Sequence, residues 1–352
     1  MTKLLANSCN AERLAASKED MSLPHKRFQE PRRSGSARGD AASSNRAVSR
    51  PRMALQSWMS SIALWVLAWT LPISATALQA PDNSVRTTQP AALTKEQTQA
   101  LVRKVLRTEI DAAVDTAHPM RYRLRKMSPR FASTKLIVET KDGDVARLVA
   151  VNDSPLDAQS QVNEDQRLQG LLSDPSKQRH RQEREQGDAE RARKIIRALP
   201  DAFLYQYAGI VDAPQGPAYR LTFQPNPKFD PEDLESQALK AMAGELWIDL
   251  AQERVVRLQG KRLHDVDYGW GLLGKLDEGG TLVLNQVDVG NHVWRTVHME
   301  LVMNARVLMK TIKLDTTLDL SQFTPVPPGI SYQQAIQLLQ TQGSGISPPP
   351  LR

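Results

Sequence analysis

Residues 293–309 alternate in polarity over a long unbroken run, and a repeat of two belongs to the β-strand. Val293, Val297, Met299, Leu301, Met303, Ala305, Val307 and Met309 hold the odd positions, with Arg295 the one polar member. Thr296, His298, Glu300, Asn304 and Arg306 fall on the even ones. A strand written this way turns one face to a core and the other to water, as in a half-buried antiparallel sheet. The run is longer than an ordinary strand, which rarely passes about ten residues. One long curved strand satisfies it, and so do two strands joined by a bulge or turn near Asn304. At Lys310 the apolar phase moves to Ile312 and Leu314, a shift of the kind a bulge produces.

Shorter alternations repeat the signal along the chain. Strands are expected from Tyr122 onward, and segments 135–140 and 145–152 flank Lys141-Asp142-Gly143-Asp144, whose Asp-Gly pair suits a hairpin turn. Tyr219, Leu221 and Phe223 alternate, as do Leu246 and Ile248, then Val256 and Leu258 after a turn over residues 250–253. Helices frame these strands. Thr94 with Gln97 reads as a capping box for a helix carrying Leu101, Val105, Leu106 and Ile110 at helical spacing. Residues 156–199 are dense in Gln, Arg, Glu and Ala and are broken at Ser173-Asp174-Pro175. They predict two mostly solvated helices with narrow apolar faces, Leu168, Leu171 and Leu172 on one and Ala192, Ile195, Ile196 and Leu199 on the other. A short helix over 331–340 precedes a Gly/Pro tail. The fold class is therefore α+β, mainly antiparallel β, with a charged helical insertion.

Residues 53–77 carry no charge, follow Arg50 and Arg52, and close on Ala75-Thr76-Ala77. Positive flank, apolar middle and small-residue exit describe an export signal. An uncleaved anchor to the inner membrane through residues 55–74 is the rival reading. Residues 1–52 hold a charge of +6 out of +7 for the chain, so the basicity belongs to a leader and not to a nucleic-acid surface. That leader is either a disordered n-terminal extension or an over-long start ahead of Met53. The one cysteine, Cys9, lies within it, which leaves the exported part without disulfides or thiolate ligands. The expected organisation is leader 1–52, signal 53–77, linker 78–93, β domain 94–325 with its helical insertion at 156–199, and helix and tail 326–352. The expected location is the periplasm or outside the cell, with membrane contact only through an uncleaved signal.

Gly244-Glu245-Leu246-Trp247-Ile248-Asp249, a four-residue turn and Arg254-Val255-Val256-Arg257-Leu258 resemble a hairpin of the periplasmic lipoprotein-carrier proteins. Phe223-Gln224-Pro225-Asn226-Pro227 ahead of it, the export signal and the first helix keep the same order. The resemblance covers residues 94–323. The chain is also similar to a group of secreted bacterial proteins with the segments Ala198-Leu199-Pro200-Asp201-Ala202-Phe203-Leu204-Tyr205 and His264-Asp265-Val266-Asp267-Tyr268-Gly269-Trp270-Gly271. The carrier resemblance implies a curved, incompletely closed barrel whose hollow, covered by helices, takes acyl chains. Leu246, Ile248, Val256, Leu258, Val297, Met299, Leu301 and Met303 are then the candidate lining, with methionine as an adaptable surface. An ordinary packed core is the competing reading of the same stripe.

Two further patterns carry chemistry on paper. Gly269-Trp270-Gly271-Leu272-Leu273-Gly274 matches G-x-G-x-x-G, but without a βαβ context it reads as a glycine-permitted bend. His264, Asp265 and Asp267, with His292 and His298 further on, form the densest titratable group, and a hydrolase built on His264 and Asp267 is the third functional reading. The first is a non-catalytic protein binding a lipid or an acylated polypeptide, and the second a cell-envelope protein-protein interaction or sensing module acting through its charged helices. No cofactor, metal or nucleic acid is expected.

Overall fold

The computed structural model describes residues 92–268, 274–307 and 310–342. The leader, the export segment, most of the linker, the first five residues of the G-x-G-x-x-G stretch, Met309 and the Gly/Pro tail lie outside the described residues.

Helix α1 (Lys95–Ala113) starts on the expected capping box: the Gln97 N–H donates to Thr94 Oγ1 at 3.2 Å, and the Thr94 N–H to Gln97 Oε1 at 2.8 Å. Strands β1 (Met120–Ser128), β2 (Phe131–Val138), β3 (Val145–Val151) and the two-residue β4 (Ser154–Pro155) follow. Helices α2 (Ala158–Ser173) and α3 (Pro175–Ala202) meet at Asp174, with Pro175 opening α3, where its missing N–H costs nothing. Then come β5 (Phe203–Ala213), β6 (Gly216–Pro225), the one-turn α4 (Leu234–Gln237), β7 (Met242–Asp249), β8 (Val255–Arg262) and the three-residue β9 (Val266–Tyr268) and β10 (Gly274–Leu276). β11 (Thr281–Asp288), β12 (Trp294–Val307), β13 (Lys310–Pro325) and α5 (Tyr332–Gln342) complete the order.

The strands form one 13-stranded sheet in the order β4-β3-β2-β1-β13-β12-β11-β8-β7-β6-β5, with β10 pairing β12 and β9. Every pairing is antiparallel, and β4 and β5 are left as edges, so the curved sheet does not close. One register row shows how the sequence fixes its inner face. Leu221, Leu246, Leu258, Leu284, Met299 and Leu318 pair in succession across six strands. Directly paired residues share a face, so this row is a continuous apolar band. It ends on β1 at Lys126, the partner of Leu318.

Of the register shifts in the sheet, two fall on residues of the expected lining. Trp247 pairs with Arg257 and Ile248 with Val255, which leaves Val256 as an extra residue. Val255 therefore joins the inner core, while Val256 packs with Ala218 and Trp294 in a separate cluster. On β12, His298 pairs with Asn285 and Thr296 with Gln286, which leaves Val297 as the extra residue. Of the two readings of the 293–309 run, the single long strand is the one that forms: β12 passes through Asn304, which pairs with Lys313 in unbroken register. The phase change at Lys310 is a hairpin reversal and not a bulge: Val307 pairs directly with Lys310.

Helices cover both faces. On the inner face Val102, Val105 and Leu106 of α1 and Ile196 and Leu199 of α3 pack on Leu221, Leu246, Ile248 and Val255. On the other face Leu168 and Leu171 of α2 and Ile336 and Leu339 of α5 pack on Leu136, Val138 and Val145. Helix α2 also seals the free edge of β3: Glu164 accepts the Leu148 N–H at 2.7 Å, and Arg167 donates to the Ala146 carbonyl at 2.5 Å. Unpaired strand groups at an edge invite association with other chains, and these side chains remove them.

Candidate functional site

Toward β1 and β2 the sheet's inner face is not filled. Residues 120–127 keep Tyr122, Leu124 and Lys126 on one side, and Lys135 and Ile137 of β2 share it, because Tyr122 pairs with Ile137 and Leu124 with Lys135. Above them runs the middle of α3. Its Gln178 side chain donates to the carbonyls of Asp142 and Gly143 at 3.0 and 3.3 Å, and Glu185 accepts the Asp144 N–H at 3.0 Å. The β2–β3 turn is thus clamped to α3 at one end, while Ile196 and Leu199 seat its other end in the core. Between these anchors the helix bridges a hollow of about 510 Å³. That lies within the roughly 300–1,000 Å³ typical of small-molecule sites.

The hollow is two-sided. Its floor is Tyr122, Leu124, Ile137, Ala146 and Leu318, and its roof is the polar face of α3, including Arg181, Gln182, Glu185, Ala189 and Arg193. Burial pushes the Tyr122 hydroxyl well above its usual pKa, so it stays protonated and the floor stays neutral. Asp188 of the roof is held by Arg191, and Arg193 by Glu190 at 2.6 Å. Lys126 and Lys135 have no hydrogen-bond or ion-pair partner among the described residues. Burial lowers the pKa of both. For Lys135 the cations Arg167, Arg181 and Lys126 lower it further, against a smaller upward pull from Glu164. Lys135 keeps accessible surface, and part of it opens onto the hollow.

None of the eight apolar residues read from the sequence as lining borders this hollow. Leu246 and Ile248 are buried under α1 and α3, Leu258 lies between the two inner clusters, and Met299 is fully buried among Leu284, Leu318 and Tyr122. Val256 and Val297 are the bulged residues. Leu301 and Met303 are half-buried on the same face, and Leu301 pairs with Thr316 on the hollow's wall. The stripe is core where helices cover it. The space lies one strand further on, where two lysines interrupt the apolar phase. Lys126 in step with Tyr122 and Leu124, and Lys135 in step with Ile137, are the sequence signal for it.

The titratable group around His264 is held in local structure. His264 Nδ1 lies 2.9 Å from the Asp265 carbonyl. Asp265 is held below the usual carboxylate range by Lys275 at 2.5 Å and the Glu278 N–H at 2.7 Å. Asp267 pairs with Lys275 across β9 and β10. His298 contacts Asp319 at 2.8 Å across strands, and His292 is exposed beside Asp288. Among the described residues no three His, Cys, Asp or Glu side chains converge as metal ligands. Gly274 of the G-x-G-x-x-G stretch sits on strand β10.

No family model matches the chain, and no curated protein does. Among solved structures it is similar to an outer membrane lipoprotein-sorting protein domain from Vibrio parahaemolyticus, at 11% identity and a TM-score of 0.28, covering 70% of this chain and 100% of that one. It is also similar to a DUF1329 family protein from Desulfovibrio piger ATCC 29098, at 11% identity and a TM-score of 0.24, covering 66% of this chain and 95% of that one. Both overlaps are loose, and the functional reading rests on the hollow itself.

Proposed function

We propose that the protein is a non-catalytic carrier of the cell envelope that holds an apolar ligand, a lipid or the acyl chain of a polypeptide, in the hollow beneath α3. The observation that carries this reading is the unfilled 510 Å³ space over an apolar floor. Along the row from β6 to β12 the same sheet face is packed, with Leu221, Ile248, Leu284 and Met299 fully buried. Each methylene moved from water into such a space contributes about 0.8 kcal/mol, so a short alkyl tail supplies enough to hold it. The export signal read from the sequence at residues 53–77 supports a site of work in the periplasm or outside the cell. Among the described residues no helix is long and apolar enough to cross a membrane.

Native mass spectrometry of the exported protein, purified without detergent, tests the reading. A co-purifying mass of lipid size, or one gained on incubation with membrane lipids, is the expected result. A bare protein mass under both conditions overturns it.

A further inference from the structure

The hollow is asymmetric in charge as well as in polarity. Five basic side chains (Lys126, Lys135, Lys141, Arg181 and Arg193) and three acidic ones (Asp144, Glu185 and Asp188) border it. Lys141 contacts Asp142 at 2.8 Å, and the Arg193 charge is paired with Glu190 through Nη2, although its buried Nε has no partner. The acidic three are engaged as well, Asp188 by Arg191 and Glu185 by the Asp144 N–H. What remains is Lys126, Lys135 and Arg181. The lysines are diagonal neighbours on one face, because Lys126 pairs with Ser133 and Leu124 with Lys135. Arg181 reaches down from α3, donates to the Asp144 carbonyl at 3.3 Å, and keeps a buried Nε without a partner.

Lys126, Lys135 and Arg181 gather at the border of this space; Glu185 and Asp144 attract Arg181 and Glu164 attracts Lys135, but no side chain among the described residues bonds either lysine. Lys135 is exposed and Lys126 and Arg181 are half-buried, so solvent screens part of their mutual repulsion, and a bound oxyanion would relieve the rest. The apolar floor begins beside it, since Leu124 is the direct partner of Lys135, and Leu318 of Lys126. We infer that the hollow selects amphiphiles with an anionic head, the tail lying on Tyr122, Leu124, Ile137 and Leu318 and the carboxylate or phosphate head meeting Lys126, Lys135 and Arg181. This rests on the carrier reading and adds the chemistry of the ligand's head. A carboxylate and a phosphate share the recognising chemistry, that of an oxyanion accepting charge-assisted N–H bonds.

Four probes with one tail separate these cases: decanoate, decyl phosphate, decanol and decylamine, titrated calorimetrically into the full exported protein. At least one of the two anions is expected to bind tenfold or more tighter than decanol, with decylamine weakest, and the tighter anion identifies a fatty-acid or phospholipid-type head. In K126Q/K135Q the ratio of anion affinity to decanol affinity is expected to fall below threefold, and K126R/K135R is expected to retain it. The arginine pair and a thermal melt distinguish loss of charge from loss of fold. Equal affinity for decanol and both anions, or an anion preference that survives K126Q/K135Q, overturns the inference while leaving the carrier reading intact. Failure of all four probes to bind overturns both.

Discussion

Arg254 and Glu109 form a buried ion pair that ties α1 to the sheet across 145 residues of chain. Arg254 Nε lies 2.8 Å from Glu109 Oε1 and Nη2 3.2 Å from Oε2. The same carboxylate accepts the Val255 N–H at 3.1 Å and the Gln286 side chain at 3.2 Å. Its neighbours explain the arrangement. Val105 and Leu106 on α1 seat that helix in the inner core, and the bulge at Val256 turns Val255 toward it. Removing one member of a buried pair leaves the other charge uncompensated, at about 3–5 kcal/mol. Glu109→Gln is therefore expected to lower unfolding stability by about that amount in denaturant titration at neutral pH. A loss below 1 kcal/mol would mean that α1 is held by its apolar face alone.

Acid should act through the same carboxylate. Burial pushes Glu109 upward, but the Arg254 hydrogen bonds and charge together with the Val255 N–H outweigh it, and its pKa lies below the ordinary value. A depressed carboxylate contributes stability that is complete above its unfolded pKa, about 4.3, and is lost as pH falls through the folded one. The gap between wild type and Glu109→Gln is expected to be constant above about pH 5 and to narrow below about pH 4. A gap independent of pH would contradict the assignment.

Gly244 and Gly260 face each other across β7 and β8, yet they should respond differently to a methyl group. A Cβ on Gly244 would lie 1.9 Å from the Gln259 carbonyl oxygen, a backbone atom fixed by the ladder. On Gly260 the nearest atom is the end of the Met242 side chain at 2.7 Å, which can swing away. Gly244→Ala is expected to cost about 3 kcal/mol or more and Gly260→Ala about 1 kcal/mol. Thermal unfolding of the two variants reads the difference, and equal losses would show that the close approach at Gly244 is not a constraint.

Filling the hollow separates it from the methionine stripe. Ala189 of α3 faces the space, whereas Met303 does not border it. Ala189→Trp is expected to weaken binding of decanol at least tenfold with the fold retained, and Met303→Trp to leave it within threefold. The reverse order would move the site to the β12–β13 face. The lysines add a pH signature. Lys135 faces Lys126 of β1, Arg167 and Glu164 of α2 and Arg181 of α3, and burial and its cationic neighbours lower its pKa. An anionic ligand should accordingly lose affinity on the alkaline side before the ordinary lysine value of about 10.4, while decanol affinity stays flat.

Much of the fold is legible in the chain because its signals are local. The capping box at Thr94, the Asp142-Gly143 hairpin and the Asp174-Pro175 helix break are each specified within a few residues, and each is where the sequence puts it. The bulges at Val256 and Val297 are not, because an extra residue on one strand is defined only by its partner strand. That is why Val256 was expected beside Leu258 and lies instead with Trp294. The hollow escaped for a related reason. An apolar stripe cannot reveal which part of it helices cover, and α3 reads as a solvated charged helix until its clamp on residues 141–144 is visible. Of the polar residues that make that clamp, Gln178 is buried by it, and Gln182 and Glu185 are half-buried.

Photo-crosslinking with a decanol analogue carrying a diazirine at the tail end tests the central claim most directly. The account predicts label on the peptides bearing Tyr122, Leu124, Ile137 and Leu318, competed away by decanol and absent in Ala189→Trp. Label concentrated on Leu301 and Met303, or spread over the surface and insensitive to Ala189→Trp, would contradict it.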